Sequence, residues 1–160
     1  MLKEIKSAVQ LLVHILSLNN AITKSKLEKF SECLEKLLCL RYEEHWHPQK
    51  PFLGSAYRCI RITHKIMDNV IEKAATMSGL TYDDLKKSSL PQDFTLWIDP
   101  SDVSYRIGED GSICCLFSTT NTTEEAPTPL ANISNLATQS CQSEVPTPIR
   151  NGSTLTKCLS

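Results

Sequence analysis

Apolar residues at Ile5, Val9, Leu12, Val13 and Leu16 recur at three- and four-residue steps, which predicts an amphipathic helix from Leu2 to Leu18 with one buried stripe. Asn19-Asn20 ends it. Thr23 or Ser25 then caps a second helix running to Tyr42, with Leu27, Phe30, Leu34, Leu37, Leu38 and Arg41 on or beside its inner face. The short polar link predicts an antiparallel helix pair. Pro48, Pro51 and Gly54 exclude regular helix from Glu43 to Ser55. Tyr57 to Ile62 alternates as a strand, with Arg58, Ile60 and Ile62 on one side and Cys59 on the other. An arginine on an apolar face must be paired or lie at an edge.

Asp68 to Ser78 predicts a third helix, with Val70, Ile71, Ala74, Ala75 and Met77 inside and Gly79 as its stop. Thr81-Tyr82-Asp83-Asp84 has capping-box form and opens a short helix to Lys87. Three strand-like runs follow. Thr95 to Ile98 lies between Pro91 and Pro100, Val103 to Ile107 comes next, and Ile113 to Phe117 follows a Glu109-Asp110-Gly111-Ser112 turn in which glycine would take positive φ. Residues 95 to 117 therefore predict an antiparallel meander, with Trp97 in its core or at its rim. The fold class is α/β of the α+β type: helices packed around a small, mostly antiparallel sheet.

Composition changes this picture at one place. The chain has 160 residues and 41% apolar content, enough for one domain with a core. From residue 119 it is rich in Ser, Thr, Asn and Pro without a sustained period. That predicts a domain over residues 1–118 and a disordered tail over 119–160. The tail holds two Pro-Thr-Pro sites, and Thr128 and Thr147 are candidate targets of proline-directed kinases. A net charge of −1 argues against direct nucleic-acid binding and against acidic membranes. The amphipathic start is a poor signal peptide, and no apolar run reaches the length of a membrane span. Seven irregularly spaced cysteines then read as reduced thiols in the cytosol or nucleus. The Asn-x-Ser/Thr patterns at Asn121, Asn132 and Asn151 would not meet the glycosylation machinery.

Candidate chemistry is sparse. His45, His47 and Cys59 lack the spacing of a metal site, so no metal or cofactor is expected. Phosphate-loop, nucleophile-elbow and zinc-protease motifs are all missing. Asp99, Asp102, Glu109 and Asp110 could mimic an acid cluster, but three of them border turns, where Asp commonly serves local hydrogen bonds. The chain does not read as an enzyme. Leu34-Glu35-Lys36-Leu37-Leu38 matches the Leu-x-x-Leu-Leu helix used in coactivator grooves, but its leucines share the apolar stripe of the second helix.

Two blocks then carry a resemblance. His45-Trp46-His47-Pro48-Gln49-Lys50-Pro51, with Gly54-Ser55-Ala56-Tyr57-Arg58-Cys59-Ile60-Arg61-Ile62, resembles box A of the BTG/Tob antiproliferative family. Leu90-Pro91 through Leu96-Trp97-Ile98-Asp99-Pro100, and on through Val103-Ser104-Tyr105-Arg106-Ile107-Gly108-Glu109-Asp110-Gly111-Ser112-Ile113, resembles box B. The likeness covers nearly all of residues 1 to 118 and is greatest to the short-tailed BTG branch. Phe52-Leu53 departs from the family pattern, which has a small or polar residue and then lysine. Phe94 stands for a usual leucine, and Cys141 to Val145 only faintly echoes the family's box C.

The resemblance implies an adaptor that binds the Caf/Pop-type nuclease subunit of the CCR–NOT deadenylase complex, promotes poly(A) shortening and restrains proliferation. Tyr57, Trp97 and Asp99 would carry that contact. It also implies a monomer in cytoplasm and nucleus, with poly(A)-binding protein, a protein arginine methyltransferase and transcription factors as further partners. The alternative is a nuclear transcriptional co-regulator acting through Leu34, Leu37 and Leu38.

Overall fold

The computed structural model describes residues 1–119. Thr128, Thr147 and the rest of the expected tail lie outside the described residues. The element order is α1 (Leu2–Ser17), α2 (Lys24–Tyr42), two 3₁₀ turns (Glu43–His45 and Ser55–Arg58), β1 (Cys59–Ile62), α3 (Asn69–Ser78), α4 (Tyr82–Lys87), β2 (Phe94–Asp99), β3 (Asp102–Ile107) and β4 (Ile113–Ser118). The strands form one antiparallel sheet in the order β1-β2-β3-β4. The predicted meander is therefore present, and β1 adds to its open side.

The core lies between the sheet and the helices. Ile60 and Ile62 of β1, Phe94, Leu96 and Ile98 of β2, and Val103 and Tyr105 of β3 form the inner face. Helix α1 lies against β2, β3 and β4, with Ile5, Ala8, Val9, Leu12 and Leu16 buried. Helix α2 packs on α1 and α3 through Leu27, Phe30, Leu34 and Leu38. Most of the stripe residues seen in the sequence are thus the ones that bury, Val13 of α1 being only half-buried.

The caps of α3 and α4 match their sequence signals, whereas Thr23 stands at the N-cap of α2 without a side-chain capping hydrogen bond. Asp68 accepts a hydrogen bond from the Val70 amide at the start of α3, and Gly79, at φ 74°, ends it. Thr81 and Asp84 form a reciprocal capping box on α4.

Four local expectations need correction. Met77 is exposed rather than buried, because the α3 stripe runs through Val70, Ile71, Ala74 and Ala75 to Ser78. Ser78 satisfies its hydroxyl on the carbonyls of Ala74 and Ala75. Leu37 is only half-buried, at the flank of the α2 stripe. In the β3–β4 turn the positive φ belongs to Gly108, not Gly111. Gly111 is needed for another reason: a Cβ there would stand 1.9 Å from the Ile107 carbonyl oxygen. The fourth correction, at Tyr57 and Arg58, builds the site.

Candidate functional site

Strand β1 begins at Cys59, two residues later than the alternation predicts, because Ser55–Arg58 forms a 3₁₀ turn. Gly54, at φ 77°, sets that turn, and a side chain there would press a Cβ to 2.9 Å from the His45 carbonyl oxygen. Arg58 keeps the inner side that the alternation assigns it, with Ile60 and Ile62. Its side chain is 0% exposed. The guanidinium donates to Asp99 Oδ1 from Nε at 3.0 Å and from Nη2 at 2.6 Å. It also donates to the carbonyls of Leu53, at 2.8 Å, and of His45 and Pro51.

One planar fork thus gathers three loop carbonyls and a strand carboxylate, which a point-charge lysine would not match. Trp46 lies beside the same group, with its ring centroid 5.7 Å from Arg58 Cζ. Tyr42, at the end of α2, donates its hydroxyl to the Arg58 carbonyl at 3.2 Å. Burial raises the Tyr42 phenol well above its ordinary range, so it stays a neutral donor.

The outer face of the sheet has a different character. The register aligns Cys59, Trp97 and Ser104 across three strands, and Arg61, Thr95 and Arg106 beside them. Of these only Thr95 is buried. Trp97 is half-buried, with Arg106 Cζ 5.8 Å from its ring centroid. Glu109 pairs with Arg61 and, at 3.7 Å, with Arg106, so it ties two strands together at the edge of this face. Burial, then the nearby Asp68 carboxylate, push the Cys59 thiol up, so it is protonated and a weak nucleophile.

Tyr57 precedes Cys59 by two residues and Asp99 follows its partner Trp97 by two, so all three proposed contact residues belong to one end of the β1–β2 pair. Tyr57 is 56% exposed and stacks on His45, with ring centroids 3.8 Å apart and 4° between planes. Asp99 is 28% exposed at its side chain, and both bonds from Arg58 land on Oδ1. Oδ2 has no hydrogen-bond partner among the described residues. Trp97 provides apolar area, Tyr57 a stacked aromatic with a polar tip, and Asp99 an oriented acceptor. That combination suits recognition of another protein surface.

Sequence reasoning foresaw that Arg58 would be paired, but not that it organises the whole box A loop. Among the described residues no group of three potential metal ligands is close together, and no helix is long and apolar enough to cross a membrane. Leu34 and Leu38 are 0% exposed, so the Leu-x-x-Leu-Leu segment is committed to the core.

The comparisons agree with this architecture. Residues 1–117 match the model of the BTG family. The chain belongs to the BTG/Tob family. It is 48% identical over 127 residues to the protein BTG2 of Rattus norvegicus, covering 79% of this chain and 75% of that one. To the protein BTG1 of Gallus gallus it is 48% identical over 117 residues, 73% of this chain and 68% of the relative. The protein Tob1 of Homo sapiens is 45% identical over 114 residues, 71% of this chain but 32% of its own length. Among solved structures, a doubly substituted form of the C. elegans FOG-3 BTG/Tob domain superposes with a TM-score of 0.65 at 20% identity, over 74% of this chain and 90% of that one. At that identity the likeness is one of fold.

Proposed function

We propose that this antiproliferative BTG/Tob protein is a non-catalytic adaptor that docks on the Caf/Pop-type nuclease subunit of the CCR–NOT deadenylase complex. Tyr57, Trp97 and Asp99 make the contact, and the outcome is poly(A) shortening and restrained proliferation. The family supplies the class of activity. The observation that supports the surface is Trp97, a large aromatic held half-buried on the sheet face opposite the core. Strand pairing on both sides fixes its backbone, so little conformational entropy is lost when a partner covers it. Asp99 gives that contact a direction. The adaptor works as a monomer in cytoplasm and nucleus; poly(A)-binding protein, a protein arginine methyltransferase and transcription factors are its further partners in this reading.

The test is binding of the full 160-residue chain to the purified nuclease subunit, wild type against Trp97→Ala, with circular dichroism as the folding control. Tryptophan anchors at interface centres contribute about 2 kcal/mol or more, so the variant should bind at least ~30-fold more weakly with an unchanged spectrum. Affinity within twofold of wild type would sink the proposal. The co-regulator alternative gains no support, because Leu34 and Leu38 cannot leave the core without unfolding α2.

A further inference from the structure

The docking reading above leaves one conspicuous group unused. Phe52 is 92% exposed and Leu53 54% exposed, in the loop that precedes Tyr57. Exposed apolar side chains on loops are ordinarily free to fold back, but the backbone here is tied down on both sides of Phe52. The Pro51 carbonyl before it and the Leu53 carbonyl after it both accept from the Arg58 guanidinium. The Phe52 carbonyl itself accepts from the Ser55 amide at 3.3 Å, and the Leu53 amide donates to the Lys50 carbonyl at 2.9 Å. The loop is therefore fixed outward. Its anchor is the same guanidinium that holds Asp99, so the turn bearing Phe52 and the carboxylate at the end of the Trp97 strand are positioned by one group.

We propose that Phe52 and Leu53 form a second apolar anchor of this docking face. This rests on the docking reading. The occupant is the same nuclease subunit, which must then offer an apolar recess beside the surface that meets Trp97, with a hydrogen-bond donor or cation between them for Asp99. Shared anchoring argues for this occupant: Tyr57, itself 56% exposed, follows Phe52 in the same looped segment, and the guanidinium that clamps this segment also holds Asp99. Preorganisation argues the same way, since an exposed phenylalanine on a clamped turn costs little entropy to bury. A mobile one would cost more.

The experiment measures affinity of the full chain for the purified nuclease subunit in four forms: wild type, Phe52→Ser with Leu53→Lys, Phe52→Leu, and Trp97→Ala. Both loop side chains are solvent-exposed, so the double variant should melt with wild type. Burying a phenylalanine and part of a leucine predicts that the double variant binds about ten- to a hundredfold more weakly. Phe52→Leu should keep most of the affinity. If Trp97→Ala loses binding and the double variant does not, the second anchor is refuted and the docking reading stands. If wild type does not bind, or Trp97→Ala binds as wild type does, both fail together. Sedimentation of the free proteins supplies the last arm: a wild-type dimer that the double variant abolishes would assign the patch to a second copy of this chain and overturn the proposal.

Discussion

Replacing Arg58 with methionine tests how the site is held. Methionine keeps an unbranched stem of similar reach but removes every donor of the guanidinium. The lost partners are Asp99 Oδ1 and the carbonyls of His45, Pro51 and Leu53. Removing one member of a buried ion pair costs about 3–5 kcal/mol, because the other charge is left without compensation. Here the lower end applies. Asp99 is 28% exposed at its side chain and can turn to water, and Pro51 and Leu53 are exposed, so their carbonyls can rehydrate. A loss of about 3 kcal/mol is a large share of the ~5–15 kcal/mol that keeps an ordinary domain folded. For a domain of this size it should lower Tm by roughly 10 °C.

Arg61→Met is the control, since Arg61 and Glu109 are 57% and 60% exposed and such pairs contribute about 0–1 kcal/mol. Thermal melts followed by far-ultraviolet circular dichroism, with urea titration for ΔG, read both variants. A Tm for Arg58→Met within about 3 °C of wild type, or indistinguishable from that of Arg61→Met, would refute the view that the guanidinium is the keystone of the box A loop.

Two further outcomes follow from burial and capping. Leu34→Ala should destabilise by about 2–5 kcal/mol, measured by urea denaturation, because Leu34 is 0% exposed on the α2 stripe; a change below about 1 kcal/mol would reopen the coactivator-helix reading. At α4, the hydrogen bond from the Thr81 amide, followed by that from Lys26, holds the Asp84 carboxyl below its ordinary value of 3.8. Because the folded value is depressed, the stabilisation is present above pH 3.8 and is lost as the pH falls through the lowered folded value. Asp84→Asn, which never carries that charge, should lower stability slightly at neutral pH and so flatten the acid limb of the profile; an identical acid limb would count against the capping box as a titrating element.

Most of the architecture was legible in the sequence because it rests on period. The α1 and α2 stripes, the strand-like runs of β2 and β3 and the α3 stop are local patterns, and each survives in the fold. What was not legible depends on contacts made at a distance. Tyr57 and Arg58 read as strand because their alternation continues that of Cys59 to Ile62. Arg58 does lie on the buried side with Ile60 and Ile62, as that alternation has it, but Ser55–Arg58 is a 3₁₀ turn whose arginine reaches Asp99 and three loop carbonyls, contacts no local pattern announces. The β3–β4 turn misled in a similar way. An Asp-Gly pair suggests positive φ at the glycine, but Gly108 already makes the left-handed step, and Gly111 is constrained by its approach to Ile107. In the candidate site, Trp97 was visible as an anomaly of size and Arg58 as an anomaly of charge. Phe52 was visible only as a departure from the family pattern, and its exposure gives that departure a meaning.

The double attachment of Asp99 bears on how any docking experiment must be read. Its Oδ1 closes the guanidinium cluster inside the domain, while the side chain keeps a solvent-facing part at the end of β2. Any substitution at Asp99 therefore perturbs the loop that carries His45, Phe52 and Tyr57 as well as the surface itself. A binding loss at Asp99 cannot distinguish a missing contact from a displaced loop, even when the bulk fold is intact. Trp97 and Phe52 are free of that ambiguity. Trp97 has pleated neighbours that hold the strand without it, and Phe52 is clamped through its neighbours' carbonyls rather than its side chain. The interpretable order is thus Trp97 first, Phe52 with Leu53 second, and Asp99 last, once the stability cost of disturbing Arg58 has been measured separately. A charge that both holds a loop and faces a partner couples fold to recognition, and in this domain that coupling passes through one guanidinium.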